Sequence, residues 1–351
     1  MTYTHLDFGP LEPLLADGEV TEIMVNGTEG VFIIKRGQLV RTDAQFDNEA
    51  QILHLIEQIM AALNREIDAR TPMVDARLPD GSRINAVLPP VAVNGPLLTL
   101  RKTWRQNLTW EQLVHFGSVS QRQVDFLRAC VQARVNMVVA GGTASGKTTV
   151  INAISEFIPE DQRVVTAEAR TELNLRHPHV VALETRPPDF DGKGAITMTD
   201  LIENAQLMCA DRIITGEVRG GEAWEMLQVM TLGHEGSMFT IHADDVQDAL
   251  ERIELMSTAA TSLPLHQIRA KIAQGIHLIT QQVQLYDGSR KLVAITEVLG
   301  VKDNLIETRD VVVFEQTGEV EGRIQGDFRF TGYRPTFADR LGLPVDFFTA
   351  G

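Results

Sequence analysis

Cysteine is scarce in this chain of 351 residues: only Cys130 and Cys209, far apart. Two cannot build a four-cysteine zinc site, and both fall in apolar, helix-like contexts, where they read as small core residues of a reducing compartment. No apolar run reaches the length of a membrane span. The opening residues, Met1 to Asp7, lack the charged and apolar regions of a secretory leader. These features point to the cytoplasm, with any membrane work done through a partner. Positive charge is the minority: 32 Lys and Arg against 47 Asp and Glu give a formal net charge of −15. That balance argues against a protein that coats nucleic acid. Internal repeats and low-complexity tracts are also missing, while 44% hydrophobic content and the length itself allow two domains with a sizeable core.

What is present is led by one stretch. Gly141, Gly142, Thr143, Ala144, Ser145, Gly146, Lys147, Thr148 and Thr149 follow the apolar run at 135–140. They precede apolar residues at helical spacing: Val150, Ile151, Ile154 and Phe157. Strand, glycine-rich turn and helix with G-x-x-x-x-G-K-T in the turn make a P-loop. Gly141 and Gly146 let backbone N–H groups converge on phosphate oxygens at a helix N-terminus. Lys147 reaches the β- and γ-phosphates, and the Thr148 hydroxyl ligates Mg²⁺. The stretch predicts binding of a nucleoside triphosphate.

On either side the pattern separates two domains. Residues 1–103 read as a small α+β domain, with strands near 22–27, 31–40, 75–78, 83–88 and 97–101 and one amphipathic helix through Ile52, Leu55, Ile56, Ile59, Met60 and Leu63. Turns are expected at Arg36-Gly37 and at 79–82. Residues 104–120 read as a linker holding a short helix, and 121–351 as an α/β domain. There, strands near 163–166, 180–183, 212–215 and 238–241 alternate with helices near 198–207, 223–232 and 246–256, which predicts a largely parallel sheet. A hairpin signal at Asp287-Gly288 and a run at 311–314 close the chain.

Hydrolysis needs partners for the loop. Glu217 follows a strand at its C-terminal end, where such sheets place ligands, and Glu168 follows another. His234 and His242 bracket one strand; a donor to phosphate or a core histidine fits them better than a zinc pair, for which no third ligand is evident. Arg77, Arg83 and Arg101, taken in isolation, read as solvated strand residues before they read as site residues.

In combination these elements resemble a known group. The P-loop, Glu168, the run Leu183-Glu184-Thr185-Arg186-Pro187-Pro188, Gly216-Glu217-Val218-Arg219-Gly220 and Gly233-His234-Glu235-Gly236-Ser237 through His242-Ala243 occur in one order. So do Val25-Asn26-Gly27, the stretch 75–85 and Leu100-Arg101-Lys102 upstream, and Thr331-Gly332-Tyr333-Arg334-Pro335 downstream. Nearly the whole chain thereby resembles the secretion superfamily ATPases, and within them the CpaF/TadA branch of Tad pilus assembly. The resemblance implies a RecA-like P-loop domain behind a small α+β (PAS-like) N-terminal domain. It also implies a homo-hexameric ring with ATP and Mg²⁺ held between the domains, and a hinge in the linker. The ring would do work on inner-membrane platform proteins, with no membrane insertion; the acidic balance speaks against direct handling of nucleic acid. Glu217 takes the position of the Walker B acid that shares Mg²⁺ with Thr148. Glu168 matches the acidic box that polarises water, and His234 and His242 match the histidine box that senses the γ-phosphate. The three arginines fall where the family draws cations toward phosphate. A type IV secretion ATPase, or a weakly hydrolysing nucleotide-gated scaffold, is the alternative.

Three departures stand out. Ala169 replaces the usual second carboxylate after Glu168, Cys209-Ala210 stands where Arg-Pro is common, and the chain begins almost directly at the small domain.

Overall fold

The computed structural model describes residues 6–35, 37–63, 65–78, 81–102, 108–188 and 191–350. The chain forms two compact units, 1–106 and 107–351.

In the first unit a short helix α1 (Glu12–Ala16) leads into β1 (Val20–Asn26), β2 (Val31–Lys35) and β3 (Gln38–Arg41). Then come α2 (Glu49–Ala62), β4 (Met73–Arg77), β5 (Arg83–Val87) and β6 (Leu97–Arg101). The six strands form one antiparallel sheet in the order β3-β2-β1-β6-β5-β4. Asn48 caps α2 by accepting from the Gln51 N–H. The apolar stripe Ile52, Leu55, Ile56, Ile59 and Met60 is buried against Ile23, Val25, Ile84, Leu98 and Leu100 of the sheet. The expected turns at Arg36 and at Pro79-Asp80 lie outside the described residues.

The second unit comprises α3 (Trp110–His115), α4 (Gln121–Gln132), β7 (Met137–Gly141), α5 (Lys147–Ser155), β8 (Val164–Glu168), β9 (Val180–Glu184), α6 (Met198–Gln206), β10 (Arg212–Val218), α7 (Glu222–Thr231) and β11 (Met238–His242). It continues through α8 (Val246–Ala260), α9 (Leu265–Gly275), β12 (Leu278–Gln284), β13 (Arg290–Lys302), β14 (Leu305–Val320) and β15 (Arg323–Phe330). Its nine-stranded sheet runs β15-β14-β13-β12-β7-β11-β10-β8-β9. From β12 to β9 neighbours are parallel, and from β12 to β15 they are antiparallel. Strand alternation sorts β7 onto two cores. Met137 and Val139 pack with α4 and α5, whereas Val138 and Ala140 pack with α6, α7, α8 and α9. This is the α/β class expected.

Several expectations shift. Residues 109–120, read as linker, belong to the second unit: Trp110 is buried, donates from Nε1 to the Ala153 carbonyl at 3.0 Å and stacks on Phe157. Capping boxes at Thr109 with Gln112 and at Ser120 with Gln123 start α3 and α4. The start of that stretch, 104–107, is outside the described residues. Cys130 is core, but Cys209 is exposed and sits at φ 54° in the turn after α6. α9 and β15 went unread. The Thr331-Gly332-Tyr333-Arg334-Pro335 run has a structural account: Tyr333 Oη donates to the buried Glu297 carboxylate at 2.9 Å, and the Thr336 N–H and hydroxyl donate to the same group. Burial, and then that bond, push the Tyr333 phenol up to about 12.

Candidate active site

β7 is fully buried and ends at Gly141; α5 begins at Lys147. Between them the loop uses left-handed backbone at Ala144 (φ 57°) and Gly146 (φ 104°). Gly146 is the N-cap of α5 and supplies no side-chain cap, so the N–H groups of the first turn, including those of Thr148 and Thr149, are left to a ligand. Gly141 is required by space: a Cβ there would stand 2.3 Å from the Gln282 carbonyl oxygen and 2.5 Å from Ser145 Oγ. Gly141→Ala is therefore expected to cost about 1–3 kcal/mol of stability, read as a lowered thermal midpoint of the ligand-free protein. Ser145 Oγ donates to the Gly142 carbonyl at 2.9 Å, while a Cβ at Gly142 would meet nothing within 4 Å and Thr143 is exposed. Lys147 Nζ donates to the carbonyls of Gly141 (2.9 Å) and Gly142 (2.8 Å). Burial lowers its pKa, countered by the nearby carboxylates of Glu217 and Glu172.

The parallel register lines up the neighbours. Gly141 pairs with His242 of β11 on one side and with Gln282 of β12 on the other, so both sit at the loop's entry. One strand further, Glu217 pairs with Thr240 at a register shift between Thr215 and Glu217. The shift is set by Gly216, whose missing Cβ would lie 3.2 Å from Glu168 Cγ. Glu217 is half-buried, and its Oε2 accepts from Arg219 Nη2 at 2.6 Å. That contact raises the pKa of Arg219. Arg219, just past the end of β10, is a site neighbour that the sequence signals only by its place two residues after Glu217.

Glu168 ends β8 and is 2% exposed. Its Oε2 accepts from the N–H groups of Glu172 (2.7 Å) and Leu173 (2.9 Å), while Oε1 is buried with no hydrogen-bond partner. Burial pushes its pKa up to about 7, against those two bonds. The loop that donates them is tied to α5, where Asn152 Oδ1 accepts from the Asn174 N–H at 3.0 Å.

The structure places His234 away from this edge, at the other end of β11 from His242, so the two bracket the strand as expected. It precedes β11, whose four steps of about 3.3 Å separate it from the end where His242 lies. Its Nδ1 contacts the Ala210 carbonyl at 2.8 Å, at the start of β10. Around it, Ser237 Oγ donates to the His234 carbonyl at 2.6 Å, and the buried Arg212 donates to the carbonyls of Gly236, at 3.2 Å, and Val131, at 2.7 Å. A Cβ at Gly236 would meet Arg212 at 2.4 Å. The Gly233-His234-Glu235-Gly236-Ser237 run locks the N-terminal edge of the sheet.

In the first unit, Arg77 pairs across the sheet with Arg83, Arg83 with Arg101, and Arg101 with Glu22. Directly opposite residues share a face, so the three guanidinium-bearing residues form one row on the face opposite the buried Ala76, Ile84, Leu100 and Ile23. Like charges in that position repel. Arg83 to Asp75 (3.3 Å) and Arg101 to Glu22 (3.1 Å) relieve part of it, and Arg77 donates to the Gly81 carbonyl.

A family model described as Type II/IV secretion system protein matches residues 4–315. The chain belongs to that family. Type IV secretion system protein PtlH of Bordetella pertussis is 33% identical over 305 residues, spanning 77% of this chain and 87% of PtlH. An uncharacterized protein of Methanocaldococcus jannaschii, MJ0781, is 40% identical over 242 residues, which span 66% of this chain but 33% of that protein. Among solved structures, the pilus retraction motor PilT with bound ADP superposes with a TM-score of 0.64 at 19% identity, covering 85% of this chain and 84% of that one. This last similarity shows the fold, a P-loop ATPase fold of the RecA-like class. Among the described residues no helix is long and apolar enough to cross a membrane.

Proposed function

We propose that the protein is an ATPase motor of a type II/IV secretion or pilus machine, active as a homo-hexamer in the cytoplasm and acting on inner-membrane platform proteins. The observation that carries the catalytic part is Glu168. It is a buried carboxyl with one oxygen fixed by two backbone N–H groups and the other unsatisfied, and its neighbour Gly216 leads into Glu217. In this reading Gly141 to Thr149 cradle the phosphates of ATP and Lys147 transfers its two carbonyl bonds to them. Glu168 accepts the proton of the attacking water through Oε1, and His242 stands at the loop's entry to sense the terminal phosphate. Thr148 and Glu217, a hydroxyl and a carboxylate, are hard oxygen donors that fit Mg²⁺. The ion when bound supplies charge neutralisation to the phosphates. The motif resemblance supports Arg77, Arg83 and Arg101 as further cations for phosphate.

Of the finer assignments, the motif set quoted above supports a Tad-type pilus, and the similarity to PtlH supports a type IV secretion machine. Steady-state phosphate release with MgATP, on protein whose hexameric state is verified by mass, tests the motor. Absence of Mg²⁺-dependent release in a verified hexamer would leave only a nucleotide-gated scaffold. The missing second carboxylate does not favour that outcome, because Ala169 is exposed while Glu168 is buried. Ala169 lies in the bend that follows β8, past the strand end at Glu168. Ala169→Asp is expected to change turnover by less than about twofold, as a surface substitution does.

A further inference from the structure

We propose that Arg290 is a positioning residue for the glycine-rich loop: it grips the crest of the loop from the β12–β13 turn and holds the phosphate cradle in shape. The inference rests on the nucleotide reading of that loop. Arg290 Nε donates to the Ala144 carbonyl at 2.8 Å. Ala144 is the one residue of the loop that carries a Cβ in left-handed backbone, a conformation that needs holding. The same side chain walls the next left-handed position, its Cδ lying 3.4 Å from where a Gly146 Cβ would stand. Lys147 is the other cation bonded to loop carbonyls, and it is the one surrendered when phosphate arrives. Arg290 then remains as the cationic clamp on the loop.

The mount of Arg290 is rigid. Asp287 Oδ1 accepts from the N–H (2.9 Å) and hydroxyl (2.6 Å) of Ser289, closing the turn. Its Oδ2 accepts from the Ile324 N–H of β15 at 2.8 Å, and Tyr286 Oη donates to Glu319 of β14 at 2.6 Å. The bonds from Ser289 and Ile324 hold the Asp287 carboxyl below its ordinary pKa, so it stays ionised at neutral pH. The turn that carries Arg290 is thus pinned to the β14–β15 ribbon, and the loop's shape depends on that ribbon through one side chain.

The test is a titration of the full chain with a fluorescent ADP analogue and Mg²⁺, beside steady-state kinetics. For Arg290→Ala the dissociation constant and KM are expected to rise about tenfold, the loss of one charge-assisted bond, with kcat within about twofold. The ligand-free thermal midpoint should move by less than about 2 °C, since Arg290 is exposed. Arg290→Lys, which still offers a cationic donor to the Ala144 carbonyl, should recover most of the affinity. Asp287→Ala should weaken binding in the wild-type background and add nothing to Arg290→Ala, because both act through one contact. Wild-type affinity in Arg290→Ala, or additive effects of the two substitutions, would overturn the inference. A wild-type protein that binds no nucleotide would instead overturn the reading beneath it.

Discussion

Lys147→Ala is expected to reduce MgATP turnover by about 10²-fold or more, the scale on which a preorganised donor to transition-state charge is lost. The ammonium is already at the cradle: Nζ bonds the carbonyls of Gly141 and Gly142 at 2.9 and 2.8 Å. Moving to phosphate exchanges two neutral acceptors for charged ones, a gain that grows as charge develops on the transferring group. Glu217 and Glu172 favour the charged form of the lysine in place, while burial disfavours it. Phosphate release and nucleotide titration on the same preparation check the expectation. A variant that turns over at the wild-type rate would remove Lys147, and with it the P-loop reading, from the mechanism. The ligand-free fold should survive, because Lys147 is only half-buried and its bonds are to one local loop.

The loop was legible because its chemistry restricts composition so tightly: two glycines for backbone room, one lysine, one hydroxyl. Glu168 and Glu217 were legible because both terminate apolar runs, and a parallel sheet gathers such ends at one edge. The histidines show where this logic stops. His234 and His242 look equivalent in sequence, each flanking one strand, but a strand has two ends and a site occupies one. Cys209 misled for a related reason, since an apolar helical context says nothing about the turn that follows it. The arginine row needed register: Arg77, Arg83 and Arg101 are scattered along the chain and become neighbours only through the pairing of β4, β5 and β6. Gln282 and Arg290 lie more distant still, delivered to Gly141 and Ala144 by the parallel pairing of β12 with β7. The far end of β14 escaped because residues 315–320 are exposed on both faces and carry no apolar alternation to read.

Glu168→Gln is expected to separate stability from catalysis in opposite directions. Turnover should fall about 10²–10⁴-fold, the range for loss of a general base, since the amide keeps the shape but cannot accept the water's proton. The amide oxygen can still accept from Glu172 and Leu173, so the local fold is retained. In the wild type, a carboxyl near pH 7 places the acid limb of kcat/KM close to neutrality, with activity lost as pH falls below it. Stability runs the other way. Unfolded, the carboxyl titrates near its ordinary 4.5, and folded near 7, so between these values the folded chain binds a proton that the unfolded chain has released. The stabilising contribution is complete below about pH 4.5 and gone above about 7, as burial of the anion comes to oppose folding. The shift from 4.5 to about 7 corresponds to on the order of 3 kcal/mol. Glu168→Gln carries no such penalty, so its thermal midpoint should exceed that of the wild type at pH 8 and converge on it toward pH 5. Equal midpoints at pH 8 would show that Glu168 is solvated and charged at no cost, and its case as a tuned base would fail with it. A midpoint that rises while turnover collapses is the signature of a carboxylate kept in an apolar pocket for its proton affinity rather than for the fold.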